Sequence, residues 1–166
     1  MNEETKLAVA RYLPNKLAQD NFFKVTAELQ TSDLTTALSV YEKLKGMDVD
    51  DTVWAALGLV DRFFLLAFTL GRKDLVHPWL YLRCREVEKN PDDHLDLWAR
   101  GHYKSTIITY AGTIQAILLN PEITIGIFSH TRPIAKSFLR QIKRELEGSV
   151  KLKHLYPDVV WTNEKR

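Results

Sequence analysis

Apolar positions recur with two different rhythms along this chain. Up to about residue 90 the rhythm is helical. Leu34, Ala37, Leu38, Tyr41 and Leu44 fall three or four apart through "LTTALSVYEKLK", with Ser32 or Asp33 ahead of them as a cap and Gly46 behind. Residues 53–71, "VWAALGLVDRFFLLAFTLG", predict one long buried helix, capped by Asp50 or Asp51 and ended by Gly71. Asp61 and Arg62 at its middle would lie at a bilayer midplane, which argues for a core helix and against a membrane span. Pro78 suits the first turn of a further helix, "PWLYLRCREVEK", which stops near Asn90-Pro91.

Beyond Pro91 the apolar runs shorten. "HLDLWA", 94–99, alternates through Leu95 and Leu97, and "ITIGIFS", 123–129, is β-branched and aromatic; both predict strands, the second a buried one. Between them "STIITYAGTIQAILLN", 105–120, predicts an apolar helix that stops at Asn120-Pro121. Thr131 as cap and Pro133 in the first turn open another, "IAKSFLRQIKRELE", with an apolar face of Ile134, Ala135, Phe138, Leu139, Ile142 and Leu146, ended by Gly148. Strand, helix, strand, helix predicts an α/β fold: a helical N-terminal segment over residues 1–90, then the start of a parallel sheet with flanking helices over 91–166.

Composition changes this picture little. A chain of 166 residues that is 45% apolar can bury one core of ordinary size. A net charge of +2 permits a nucleic-acid partner without requiring one. Cys84 is the single cysteine, which excludes an internal disulfide and points to an intracellular setting; it reads as a small helix residue, not a nucleophile. "MNEETKLAVARYLPNK" lacks the basic start and apolar core of a signal peptide. His77, His94, His102, His130 and His154 are scattered without metal-ligand spacing, and Ser129, with His130 and Asp158, has no nucleophile elbow.

The candidate chemistry sits in "WARGHYKST", residues 98–106, between a predicted strand and a predicted helix. At that place the first N–H groups of the helix and its dipole favour an anion, so a polyphosphate is the expected ligand. Lys104 can reach the β- and γ-phosphates of ATP, Ser105 can offer its hydroxyl to Mg²⁺ with Thr106 as substitute one residue on, and Arg100 and His102 lie in the same loop. The strict pattern G-x-x-x-x-G-K-[ST] fails, because Trp98 and Tyr103 stand at its glycine positions. Gly101 alone is left to bring backbone close to phosphate, and Tyr103 is not expected to take a positive φ with ease.

The stretch "LDLWARGHYKSTIITYAGTIQAILLNPEITIGIFSHTRPIAKSFLRQIKREL" resembles the ATPase domain of bacteriophage terminase large subunits, the motors that pump DNA into proheads. Arg100 and Lys104 match the spacing of that family's variant phosphate loop, and "SHTRPIAKSFLRQIKRE" is similar to the second strand and following helix. The specific likeness covers about residues 94–147; Tyr103 departs from it. The resemblance implies a P-loop-type sheet, ATP and Mg²⁺ as cofactors, and catalytic roles for Lys104 and Arg100. It implies a nucleotide cradle of Gly101, His102, Tyr103, Lys104, Ser105 and Thr106. It also implies an adenine-binding segment in "HPWLYLRCRE", where Trp79 or Tyr81 would stack on the base and Arg83 or Arg85 would reach the nucleotide. The plainer reading of that segment is a helix with Trp79 and Leu80 in the core and its arginines in water.

An ATPase of this kind also needs an Asp-Glu pair at a strand end. Glu3-Glu4, Asp50-Asp51 and Asp92-Asp93 do not follow such a strand. The expectation is therefore an N-terminal piece of a longer motor, inactive by itself. Its implied partners are double-stranded DNA, a portal protein, a terminase small subunit and further copies in a ring, with no membrane. Its implied place is the host cytoplasm, at the prohead portal. Arg132, Lys136, Arg140, Lys143 and Arg144 form a basic helix face that can track DNA, meet a neighbouring subunit or simply be solvated. The rival readings are a helicase-like ATPase acting on nucleic acid and a helical interaction module without catalysis.

Overall fold

A computed structural model describes residues 3–46, 50–89 and 95–160. Their regular elements are helices: α1 (Glu3–Ala10), α2 (Lys16–Thr31), α3 (Leu34–Gly46), α4 (Asp51–Val60), α5 (Arg62–Thr69), α6 (Pro78–Lys89), α7 (Thr106–Leu119), α8 (Arg132–Gly148) and α9 (Val150–Leu155). A short 3₁₀ turn, Lys73–Leu75, links α5 to α6.

Short-range chemistry accounts for many of the boundaries. The Asn15 side chain accepts the N–H groups of Leu17 and Ala18 at 2.9 and 3.2 Å and starts α2. Asp33, not Ser32, caps α3, accepting from Thr36 N–H at 2.7 Å. Thr131 occupies the cap position of α8 and Pro133 its first turn, while Ser149 caps α9 through Leu152 N–H at 3.3 Å.

The long helix expected over residues 53–71 is instead two helices, α4 and α5, bent by 115° at Asp61. Asp61 has φ −129° and ψ 100°. Its N–H closes α4 on the Leu57 carbonyl at 2.8 Å, and its carboxylate caps α5 through Phe64 N–H at 2.8 Å. The break lets that buried carboxylate meet the Arg85 guanidinium of α6 and the Tyr41 hydroxyl of α3. A buried carboxylate without such partners would be prohibitively unstable. Among the described residues no single helix is long and apolar enough to cross a membrane.

α4 is the middle of the core. Ala55 through Leu59 are all buried, and the helix touches α1, α5, α7 and α9. Tyr156, just past α9, crosses it at Gly58 and donates to the Ala55 carbonyl at 2.8 Å. The same cluster contains Val9, Tyr41, Phe63, Tyr81, Ile107 and Ile114, so residues before and after position 90 share it. Arg11 ties α1 to the end of α7, donating to the carbonyls of Leu118 and Leu119 at 2.7 and 3.1 Å.

The expected parallel sheet is absent: the described residues contain no strand, and the architecture is all-helical, not α/β. Residues 95–99 and 123–129 run without regular structure. The first predicted strand begins at His94, which lies outside the described residues, as does the Asp92-Asp93 pair. Alternation and β-branching express only a fit to a pleated surface, and a strand persists where a neighbour pairs its N–H and C=O groups. Neither segment has such a neighbour among the described residues. Leu95 and Leu97 are 81% and 84% exposed and Phe128 is 95% exposed, so the burial that alternation implied does not occur. Along α8 only Ile142 of the expected apolar face is buried, while Ile134 and Leu139 are exposed. That leaves an apolar groove of about 410 Å³ lined by Ile117, Ile123, Ile125, Leu139 and Leu146.

Candidate phosphate-binding loop

The segment from Asp96 to Thr106 connects the chain after α6 to the start of α7. The helical hydrogen bonding opens with Ile107 N–H to the Tyr103 carbonyl at 2.9 Å, so the N–H groups of Lys104, Ser105 and Thr106 lie ahead of that first bond. Gly101 has φ 80° and Tyr103 has φ 56°. The tyrosine thus takes the left-handed conformation that its Cβ was expected to resist. Left-handed residues on both sides of His102 curl the chain at this point. Residues 98–106 line a cavity of about 290 Å³.

Lys104 is half-buried, and its ammonium donates to the Asp96 carbonyl at 3.2 Å, bridging back across eight residues to the start of the segment. Arg100 is exposed at the rim. The His102 ring hydrogen-bonds with the Arg100 carbonyl through Nδ1 at 3.0 Å, which spends that nitrogen inside the loop. Ser105 is exposed and its side chain makes no capping bond, so its hydroxyl points to no helix N–H. Thr106 follows, half-buried, in the first turn of α7. The expected site residues 100–106 therefore stand together around one concavity.

α6 delivers one further residue to it. Trp79 meets Trp98 edge-on at 5.6 Å and the His102 ring at 5.3 Å. Arg83 lies over the Trp79 ring at 5.6 Å and is also paired with Glu86. Its neighbours on the helix face elsewhere. Tyr81 is fully buried and donates to the Leu29 carbonyl at 2.8 Å, and Arg85 is buried against Asp61 and Glu88. Neither can reach a nucleotide at the loop. Leu80 is in the core, so "HPWLYLRCRE" divides its residues between the core and the loop.

Two contacts to the loop had no signal in the sequence. Trp98 stands where a glycine would, and only the approach of α6 makes it one half of an indole pair. Arg72, far upstream, places its guanidinium 6.0 Å over the Tyr103 ring.

No group of three His, Cys, Asp or Glu among the described residues can hold a metal ion. Cys84 is buried in α6, and that burial pushes its thiol up, away from the reactive thiolate. The chain matches no protein-family model, no curated protein and no solved structure.

Proposed function

We propose that residues 98–106 bind the phosphates of ATP together with Mg²⁺, and that the chain is the nucleotide-binding part of a DNA-translocating motor of the terminase large-subunit kind. The single observation that carries the proposal is the curled loop. Nine consecutive residues line one open cavity, two of them are left-handed, and one is a lysine at the start of a helix. The likeness of "WARGHYKST" and its surroundings to the motor family supplies the rest.

In this reading Lys104 gives up the Asp96 carbonyl for the β- and γ-phosphates, a stronger charge-assisted partner. The leading N–H groups of α7 and its dipole hold the same anion. Arg100 adds charge at the rim, Ser105 contributes an oxygen to Mg²⁺, and the exposed part of Trp79 offers a face to the base. Bound Mg²⁺ would neutralise charge on the phosphates. Hydrolysis further requires a carboxylate that orients water, and residues 98–106 contain none. Double-stranded DNA, a portal protein, a small subunit and further copies in a ring, acting at the prohead in the host cytoplasm, come with this reading as proposed partners and place. The open groove between α7 and α8 favours a second reading, a helical interaction module without catalysis.

The test is a titration of the purified chain with fluorescent ATP, with and without Mg²⁺, beside Lys104→Ala. Circular dichroism verifies folding. The expected result is an affinity at least about tenfold weaker in the variant, or about 1.4 kcal/mol, with negligible phosphate release from either protein. Equal affinity in the two proteins, or no binding by the wild type, would overturn the proposal. Phosphate release that depends on Lys104 would instead require a complete catalytic site.

A further inference from the structure

Tyr103 is the one described residue other than glycine with a positive φ. The backbone there is costly for any residue that carries a Cβ, and glycine would adopt it freely. The ring is 36% exposed and lies outside the core cluster, so core packing does not fix it. A group in contact with it comes from the turn after α5. Arg72 lies over the Tyr103 ring, and its guanidinium is fixed on Asp74 by two parallel bonds, Nε to Oδ1 at 2.9 Å and Nη2 to Oδ2 at 2.7 Å. Arg72 N–H is anchored on the Leu66 carbonyl at 2.9 Å, one turn inside the buried end of α5. Gly71, with φ 70°, turns the chain so that this is possible. The Arg72 pairing holds the Asp74 carboxyl below its ordinary value.

We infer that the Arg72–Asp74 pair is a clamp that keeps Tyr103 left-handed and thereby sets the shape of the 98–106 loop from a rigid part of the core. Arg72 is then a positioning residue. Its charge is committed to Asp74, and it acts on phosphate through the loop's geometry. The functional half of this inference rests on the reading of the loop as a phosphate site; the clamp itself does not.

The experiment is a double-mutant cycle. Arg72→Met and Asp74→Asn are each made in the wild-type background and in Tyr103→Gly, where no clamp is needed. Two quantities are measured: affinity for fluorescent ATP and hydrogen exchange of the amides of residues 99–106. With Tyr103 present, each clamp variant should weaken ATP about fivefold and speed exchange in the loop. In the Tyr103→Gly background both effects should fall to less than about twofold. Equal losses of affinity in the two backgrounds would show Arg72 acting directly on phosphate and overturn the positioning role. Unchanged exchange in Arg72→Met and Asp74→Asn would overturn the clamp. If exchange responds as expected but no protein binds ATP, the clamp stands and the nucleotide reading falls.

Discussion

Asp61 and Arg85 form an ion pair inside the protein, joining the break between α4 and α5 to the middle of α6. Their side chains are 2% and 8% exposed. Removing either partner strips the other of its direct counter-charge: Asp61 keeps only the bonds from Tyr41 and Phe64, and Arg85 keeps only Glu88. Asp61→Ala and Arg85→Ala should each lower unfolding stability by about 3–5 kcal/mol. The double variant should lose less than the sum, because the second change removes a charge already parted from its main partner, with Glu88 left on Arg62 N–H. Urea unfolding of the three proteins measures this, and simple additivity would contradict it.

Glu88 is the second acid of the same cluster. It accepts Arg62 N–H and lies 3.2 Å from an Arg85 nitrogen. Burial raises its carboxyl to about 6, with Arg85 opposing and Asp61 adding to the rise. A raised value means that the folded protein takes up the proton more readily than the unfolded chain. The contribution of Glu88 is therefore fully present below its ordinary value of 4.5 and is lost as pH rises through about 6. The stability difference between wild type and Glu88→Gln should shift in favour of the variant across that window. A difference that stays constant from pH 4.5 to about 7 would contradict the assignment.

Gly58 faces the Tyr156 hydroxyl so closely that an added Cβ would lie 2.2 Å from it. The hydroxyl cannot yield easily, because it is fully buried and bonded to the Ala55 carbonyl. Gly58→Ala should cost about 1–3 kcal/mol by overpacking, despite the better helix propensity of alanine. Tyr156→Phe in the same chain should recover part of that loss. A Gly58→Ala protein as stable as wild type by thermal unfolding would place the tyrosine elsewhere.

Arg140, Lys143 and Arg144 line a shallow depression on α8 next to Glu147, which pairs with Lys143 at 3.6 Å. If this face tracks a DNA backbone, replacing the three with Gln should weaken duplex binding uniformly across sequences. The salt dependence should flatten by about 0.9 per lost phosphate contact. Fluorescence anisotropy over a salt series measures both. An unchanged slope would leave the face to solvent or to a protein partner.

What was legible in the sequence is what neighbours along the chain decide. The cap and spacing of α3, the proline that opens α8, the stop after α7 at Asn120 and the position of Lys104 at a helix start all depend on residues within a turn or two of each other. Their hydrogen bonds form whatever the rest of the chain does. Tertiary structure decided the remainder. Asp61 breaks a run that reads as one helix because its carboxylate finds Tyr41 and Arg85, twenty positions before it and twenty-four after it. "ITIGIFS" has the composition of a strand but finds no second strand among the described residues to bond with, a requirement that no residue within it can meet. Trp79 reaches the loop while Tyr81, two residues on, is sealed in the core, because the packing of α6 sorts its faces. Tyr103 takes a backbone conformation that its own Cβ opposes, and the ring is met by Arg72, about thirty residues upstream and paired with Asp74, which only folding brings beside it.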